Sequence, residues 1–197
     1  MEHQPGEEWL PAYPGEHHLT AEQIYQHSIN DSEFHDWDEY YKFSFVRNPW
    51  DREVSLHKYR DKCYRLYLES DLYTVDVKDI KSGLRLQRKK FWSSCEKYIK
   101  QYPTFKSAIT HAQGTPICSN WTHKNDVQLV DYIGKFENVQ ENLTTICNLL
   151  GISTDLLPKT NTTTHRHYTE YYDDETREIV SKKYAKDIEY FGYKFGE

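Results

Sequence analysis

Two side chains that can bind an anion stand close together in the first half of this 197-residue chain. Arg47 follows a run of aromatic and β-branched residues, and Ser55 lies eight positions later. A guanidinium can make paired, charge-assisted hydrogen bonds to a phosphate, and a serine hydroxyl can donate one more. The spacing predicts a phosphate site. The alternative is a surface arginine beside a helix-capping Asn-Pro turn.

The residues around this pair predict a strand followed by a helix. Tyr41–Val46 is rich in aromatic residues, which favours a strand. Pro49 fits the first turn of a helix, and an apolar stripe continues that helix to about residue 68. Ligands in open α/β sheets bind at the carboxyl ends of strands, and a helix N-terminus presents backbone N–H groups to anions. We therefore expect Arg47, Ser55 and these N–H groups to meet one phosphate.

The remaining signals in the N-terminal half are weaker. Thr20 and Gln23 have the spacing of a capping box and predict a short helix after a loop. Phe91–Tyr102 has a helical stripe of apolar residues. Residues 104–116 are predicted to be a loop.

The C-terminal half continues the alternation of strand and helix. Val130–Phe136 is typical of a second strand, and Asn138 with Glu141 is expected to cap a helix that ends at Gly151. A loop is predicted over 153–168, and a last helix from about 173 to 191. This order predicts an α/β fold in which helices flank a parallel sheet, as a single domain over residues 1–197.

The composition argues against several classes of function. The formal net charge of −6 opposes a general surface for nucleic acid. No run of about 18 apolar residues exists, so no membrane segment is predicted. A local basic cluster, Arg85–Lys90, departs from the overall charge. It reads either as a solvated helix face or as a rim that receives a sulfated or acidic acceptor.

No metal site is predicted. His165 and His167 lack further ligands at a metal-binding spacing and read as loop residues. The cysteines contain no C-x-x-C pair, and most of them are expected to be buried free thiols. They are Cys63, Cys95, Cys118 and Cys147.

The segment Tyr41–Tyr59 resembles the 3'-phosphate-binding segment of sulfotransferases that use 3'-phosphoadenosine 5'-phosphosulfate (PAPS). The match is to the carbohydrate-sulfotransferase branch and its bacterial relatives, where F-x-F-V-R-N-P-W-D-R-x-V-S recurs. Two further blocks, Val130–Val139 and His167–Phe195, are similar to the same branch in the same order. Together the similar segments span about residues 15–195.

The resemblance implies a fold, a donor and an acceptor. It implies the sulfotransferase version of the P-loop α/β fold, with Arg47 and Ser55 on the 3'-phosphate of PAPS. Phe136 would lie near the adenine pocket, or alternatively would be a core aromatic. The expected reaction moves a sulfuryl group to a hydroxyl, expected to be that of a carbohydrate, without a metal. Independently of the resemblance, the charge argues against nucleic acid as a partner, and no membrane segment is predicted in this chain.

A catalytic histidine precedes the equivalent strand in carbohydrate sulfotransferases. By that resemblance His18 is the expected general base, with Glu16 and His17 as rivals. An acceptor hydroxyl must lose its proton, which suits any of the three. The alternative is that the two histidines belong to an exposed loop without a catalytic role.

One departure from the family pattern stands out. The first strand and a loop of the type P-K-T-A-G-T-S, which holds the 5'-phosphosulfate, have no counterpart in this sequence. Either the chain is a fragment or a misannotated start of a longer protein, or the loop has been lost. The expectation is a domain that lacks that strand and loop, binds the bisphosphate product of the donor, and transfers sulfate slowly or not at all. Rival interpretations are a degenerate relative that binds only the 3'-phosphonucleotide, and a P-loop kinase or other nucleotide hydrolase. The compartment stays open, since bacterial relatives are cytoplasmic and animal relatives lie in the Golgi lumen.

Overall fold

The computed structural model describes residues 19–30, 37–114, 116–153 and 166–197. They belong to two compact units, one with the residues up to Ser44 and Cys118–Ile133, the other with Phe45–Ile117 and Gly134–Glu197. The helices are α1 (Ala21–Asn30), α2 (Pro49–Glu69), α3 (Gly83–Gln101), α4 (Phe105–His111), α5 (Ser119–Thr122), α6 (Val139–Leu150), α7 (Asp174–Lys183) and α8 (Ala185–Phe191). The strands are β1 (Phe43–Val46), β2 (His123–Lys124), β3 (Val127–Gln128) and β4 (Tyr132–Lys135).

The expected α/β architecture is confirmed. β1 and β4 are neighbours in a small parallel sheet, and helices flank it. β2 and β3 form an antiparallel hairpin that was not predicted. Its turn has positive φ at Asn125 and Asp126, which is the backbone that two-residue hairpin turns require. That the chain is a single domain stays a prediction.

The first helix begins where the sequence indicated. The Thr20 backbone N–H donates to the Gln23 side chain at 2.8 Å, and the Gln23 N–H donates to the Thr20 hydroxyl at 3.2 Å. This is the reciprocal pair of a capping box. The capping-box prediction at α1 is confirmed.

At α6 one end was predicted well and the other was not. The helix ends at Gly151, whose φ of 67° is the left-handed conformation that glycine adopts without strain. Asn138, by contrast, makes no capping hydrogen bond with its side chain. A short 3-10 helix over Phe136–Asn138 leads directly into α6, so the expected capping box with Glu141 is wrong.

The region between Glu69 and Pro116 is more helical than predicted. α3 begins eight residues before the predicted start at Phe91. The basic run consists of good helix formers and so extends the helix, but it has no apolar period by which the helix could be recognised in the sequence. α4 occupies the predicted loop over 104–116 and corrects that prediction. Thr104 and Ser107 cap α4 reciprocally, and the buried residues follow a helical period. Those buried residues are Phe105, Ala108 and Ile109.

The last predicted helix is two helices. α7 ends at Lys183 and α8 begins at Ala185, with Tyr184 between them at φ −111° and ψ 23°. Tyr184 is fully buried and its hydroxyl donates to Glu53 of α2. Neither proline nor glycine lies at this break. The residue at the break is Tyr184, which makes the buried hydrogen bond to Glu53.

The core of the second unit lies between α2 and α3. Val54 and Tyr67 of α2 are buried, and the rings of His57 and Tyr98 meet edge to face at 6.1 Å between centroids. Cys63 and Cys95 are buried free thiols on these two helices, as is Cys147 of α6. The expectation of mostly buried thiols is confirmed. Over the described ranges, no helix is both long enough and apolar enough to cross a membrane.

Candidate functional site

Two turns meet at one edge of the parallel sheet, because parallel strands end on the same side. β1 is followed by Arg47 and Asn48, and β4 by Phe136 and Glu137. The Asn48 backbone N–H donates to Glu137 Oε1 at 2.6 Å, and the Tyr193 hydroxyl donates to Glu137 Oε2 at 3.2 Å. Glu137 therefore fixes the turn after β1 against the turn after β4.

The structure brings the predicted anion-binding pair together. Arg47 Nη1 donates to Ser55 Oγ at 2.9 Å. Arg47 Nε donates to Asp51 Oδ2 at 2.7 Å, one helical turn before the serine. The guanidinium carbon lies 4.8 Å from the centre of the Phe136 ring, a cation–π contact. Three contacts thus fix the orientation of Arg47.

The pair retains hydrogen-bond capacity for a ligand. A guanidinium has five N–H donors. Two of those on Arg47 are used, and the other three find no partner among the residues that the structure describes. Ser55 accepts from Arg47, so its own hydroxyl proton remains available to donate. Arg47 and Ser55 can together donate several hydrogen bonds to one phosphate.

The helix N-terminus does not add to these donors, which corrects the expectation from the sequence. Pro49 has no N–H, and the N–H groups of Trp50 and Asp51 donate to Asn48 Oδ1 at 3.1 and 3.5 Å. The Arg52 N–H donates to the Asn48 carbonyl at 2.8 Å. Asn48 occupies the first N–H groups of α2, so only side chains are left there to donate to an anion.

Buried hydrogen bonds hold the Asn48 turn in place. Asn48 is 1 % exposed, and its Nδ2 donates to the Lys194 carbonyl at 3.2 Å and to the Tyr168 hydroxyl at 3.4 Å. Burial raises the pKa of the Tyr168 phenol, so it stays a neutral donor. Burial likewise raises the pKa of Tyr172, whose hydroxyl donates to the Trp50 carbonyl at 2.9 Å.

A cleft of about 370 Å³ opens beside this turn within the second unit. It combines carboxylates with one guanidinium and one imidazole. Its lining residues are Asn48, Asp51, Glu137, Arg166, His167, Tyr168 and Glu197. His167 Nδ1 lies 2.7 Å from the Thr169 hydroxyl, which orients the imidazole. The cleft borders the Arg47–Asp51 ion pair and has the volume of a small-molecule site.

The structure describes only some of the other predicted site residues. His18, its rivals Glu16 and His17, and also His165 lie outside the described residues. Phe136 is 46 % exposed, so the alternative of a core aromatic is wrong. Within the part of the chain that the structure describes, no three of His, Cys, Asp and Glu group as metal ligands would.

A model of the sulfotransferase family matches residues 12–194, nearly the whole chain. The chain belongs to the sulfotransferase family. Membership supports sulfuryl transfer in general and implies a sulfate donor and a hydroxyl acceptor. The comparison with curated proteins and the comparison with solved structures gave no match.

Three residues of this candidate site were not assigned these roles from the sequence. Asp51 lies in the first turn of α2, and its ion pair with Arg47 was not predicted, although the spacing of four residues suits such a pair. Glu137 and Tyr168 form hydrogen bonds with Asn48, although they lie 89 and 120 positions from it in the sequence, respectively. Nothing in a local pattern points to such distant partners.

Proposed function

We propose that this sulfotransferase takes its sulfuryl group from PAPS and delivers it to a carbohydrate hydroxyl. The observation that carries the proposal is the hydrogen bond from Arg47 to Ser55 at 2.9 Å. The arrangement leaves guanidinium N–H groups and the serine proton for the 3'-phosphate, the group that distinguishes this donor from simpler adenine nucleotides.

The surroundings of the pair suit the rest of a nucleotide. The neighbouring cleft of about 370 Å³ is large enough for a nucleoside. Phe136 presents an aromatic ring that is 46 % exposed beside Arg47, and such a ring can stack on a base. We assign the nucleoside of the donor to this side of the site.

The reaction joins the acceptor oxygen to the donor's sulfur. The new S–O bond forms as the bond from sulfur to the 5'-phosphate oxygen breaks, and adenosine 3',5'-bisphosphate leaves. The acceptor's hydroxyl proton passes to a base, for which we propose His18, with Glu16 and His17 as rivals. Arg47 and Ser55 bind the leaving nucleotide by its 3'-phosphate, away from the bonds that change.

The test is a calorimetric titration with adenosine 3',5'-bisphosphate and with 5'-AMP, which lacks only the 3'-phosphate. The bisphosphate should bind at least tenfold more tightly. Arg47→Ala should remove about 1.5–3 kcal/mol of its binding free energy, the range for a hydrogen bond to a charged group. Ser55→Ala should weaken it by about 1 kcal/mol.

Arg65→Ala is the matched control, because Arg65 is also on α2 and pairs with Asp61 at 3.0 Å, but is 73 % exposed. It should leave both affinities unchanged. Equal affinity of the wild type for the two nucleotides would refute the proposed donor site.

A further inference from the structure

The segment Tyr193–Glu197, here called the strap, follows α8 and packs against the turn after β1. It begins where α8 ends at Gly192, whose φ of 63° is left-handed, and the Tyr193 N–H donates to the Ile188 carbonyl at 3.1 Å. Such a bond closes a helix at a left-handed glycine. The strap belongs to the same compact unit as Arg47.

Phe195 anchors the strap through aromatic contacts. Its ring meets the rings of Trp50, Tyr168 and Tyr172 edge to face, at 5.6, 5.6 and 5.5 Å between centroids. The Arg177 guanidinium lies 5.6 Å from the centre of the same ring. Edge-to-face pairs stabilise beyond the area that they bury. Because Trp50 is the second residue of α2, the ring fixes the strap to the start of that helix.

The Tyr168 hydroxyl joins the strap to Asn48. It donates to the main-chain oxygen of Glu197 at 3.2 Å, and it accepts from the Gly196 N–H at 2.5 Å and from Asn48 Nδ2 at 3.4 Å. A phenol has one proton and two lone pairs, so these three bonds use its whole capacity. Tyr168 is also only 4 % exposed. Its hydroxyl can therefore affect a ligand only through the residues that it holds.

The side-chain amide of Asn48 connects the strap with α2. Its Nδ2 donates to the Lys194 carbonyl at 3.2 Å and to Tyr168. Its Oδ1 accepts from the N–H groups of Trp50 and Asp51. An amide is planar, so fixing one end aims the other. Without the strap, the buried Nδ2 would keep only the longer contact with Tyr168, and a poorly satisfied buried donor is costly.

A second route leads from the strap to the backbone of the same turn. The Tyr193 hydroxyl donates to Glu137 Oε2 at 3.2 Å, and Glu137 Oε1 accepts from the Asn48 N–H at 2.6 Å. Tyr193 is 5 % exposed, and Lys135 Nζ lies 4.6 Å from the centre of its ring. The strap therefore holds Asn48 by its main chain as well as by its side chain.

These contacts end at the proposed phosphate site. Asp51, whose N–H donates to Asn48, accepts from Arg47 Nε at 2.7 Å, and Arg47 in turn donates to Ser55. Arg47 and Asn48 are also neighbours in the chain, so a shift of this turn moves the guanidinium directly. Tyr168 and the strap thus act on the guanidinium through Asn48 and Asp51.

We propose that Tyr168 and Phe195 are positioning residues of the donor site. They hold the strap on the Asn48 turn, and this contact keeps Arg47 in the orientation that selects the 3'-phosphate. The inference rests on the proposed function and names the part of the chain that sets this selectivity. With the strap displaced, Arg47 keeps its charge but loses its fixed orientation, so affinity for the 3'-phosphate falls while the nucleoside contacts remain.

The first test compares the affinities of adenosine 3',5'-bisphosphate and 5'-AMP by calorimetry in the intact chain and two variants, each shown by circular dichroism to be folded. Tyr168→Phe keeps the ring and removes the hydroxyl. It should weaken the bisphosphate by about threefold to tenfold and change 5'-AMP by less than about twofold. Phe195→Ala removes the anchor of the strap and should weaken the bisphosphate at least as much. If Phe195→Ala does not fold, Tyr168→Phe decides.

Tyr184→Phe is the matched control. Tyr184 is also a buried tyrosine, but its hydroxyl donates to Glu53 of α2 and not to the Asn48 turn. This variant should lose stability in urea denaturation and keep both affinities within about twofold of the wild type. A purely structural role of Tyr168 predicts the same for Tyr168→Phe, so the ratio of the two affinities separates positioning from stability.

The second test uses the unaltered chain. Coupling between two sites is reciprocal, so a strap that tightens binding of the 3'-phosphate must itself be stabilised when the 3'-phosphate binds. Saturation with the bisphosphate should slow amide hydrogen exchange in the strap by about threefold or more relative to saturation with 5'-AMP. Exchange in α3 is the internal control and should change less.

Four results would overturn the inference: unchanged bisphosphate affinity in Tyr168→Phe, equal weakening of both nucleotides in that variant, the same loss of selectivity in Tyr184→Phe, or strap exchange that the bisphosphate does not slow. Each would leave the proposed function standing if the wild type prefers the bisphosphate over 5'-AMP. Loss of that preference in the wild type would refute the proposed function instead.

Discussion

Asp51 accepts a hydrogen bond from Nε of Arg47 at 2.7 Å, four residues further along the same turn and helix. The two side chains are 20 and 24 % exposed, so the pair is partly shielded from water. An acid beside a proposed phosphate site repels the ligand, but it also holds the guanidinium in one orientation. Substitution of Asp51 distinguishes between the two effects.

Asp51→Ala should weaken the binding of adenosine 3',5'-bisphosphate by about fivefold, or about 1 kcal/mol, because Arg47 loses the partner that orients it. Asp51→Asn should fall between Ala and the wild type, since an amide oxygen still accepts from Nε. Asp61→Ala, which removes the acid of the Asp61–Arg65 pair on the same helix, is the control. Tighter binding by Asp51→Ala would show that repulsion dominates.

His18→Ala should lower turnover on the order of 10²-fold while donor affinity stays constant, because a general base acts on the acceptor's proton only in the transition state. Turnover is measured with radiolabelled PAPS and a panel of carbohydrate acceptors. His17→Ala and Glu16→Ala serve as comparisons. If His17→Ala or Glu16→Ala lowers turnover and His18→Ala does not, the base is the residue whose replacement lowers turnover.

Asn48→Ala should lower the free energy of unfolding by about 2–4 kcal/mol, measured by urea denaturation. The change removes the cap of α2 and leaves buried partners of Asn48 without their hydrogen bonds. Asn138→Ala is the control, because that asparagine precedes α6 but makes no capping hydrogen bond with its side chain. Similar losses in both variants would contradict the assigned role of Asn48.

Stability should fall as the pH drops below about 6.5, partly through His57. Burial lowers the pKa of His57 below its ordinary 6.5, with Lys58 and Arg60 acting in the same direction and Asp61 and Glu53 against them. As the pH falls below 6.5, His57 becomes protonated in the unfolded state while it is still neutral in the folded state. The free energy of unfolding therefore declines until the pH reaches the lowered pKa of His57 in the folded protein. His57→Phe should flatten this decline in urea titrations between pH 7 and 5. An unchanged slope would contradict the prediction.

Native Cys95 and Cys63 should resist alkylation and disulfide reagents at pH 8. Burial raises the pKa of the Cys95 thiol to about 11, and the reactive form is the thiolate. Cys118 is partly exposed and should react first. In Cys118→Ser the rapid reaction should disappear. Unfolding in urea should then make the remaining thiols accessible to the reagent. Fast native labelling of Cys95 would show that α2 and α3 separate readily.

The sequence predicted those parts of the molecule that depend on neighbours along the chain. Arg47 and Ser55 meet because strand, Pro49 turn and helix follow one another within nine residues. Gly151 ends α6 because the left-handed conformation there is local. α4 was missed although Thr104 caps it, because its partner is Ser107 where a Glu or Gln is the usual signal.

Two other features could not be predicted because they depend on tertiary contacts. The break at Tyr184 accompanies a buried contact with Glu53, 131 residues away. The turn at Asn48 depends on Glu137, Tyr168 and Lys194, which are distant in sequence. Tertiary contacts, unlike caps and periodicities, leave no local pattern.

The orientation of Arg47 also bears on the time course of ligand binding. A free arginine side chain carries about 2 kcal/mol of rotamer entropy, which a ligand must normally remove. Here Asp51, Ser55 and the Phe136 ring restrict those rotamers before any ligand arrives. The 3'-phosphate should therefore be captured in a single kinetic phase whose rate rises linearly with ligand concentration, with no slow isomerisation after the encounter.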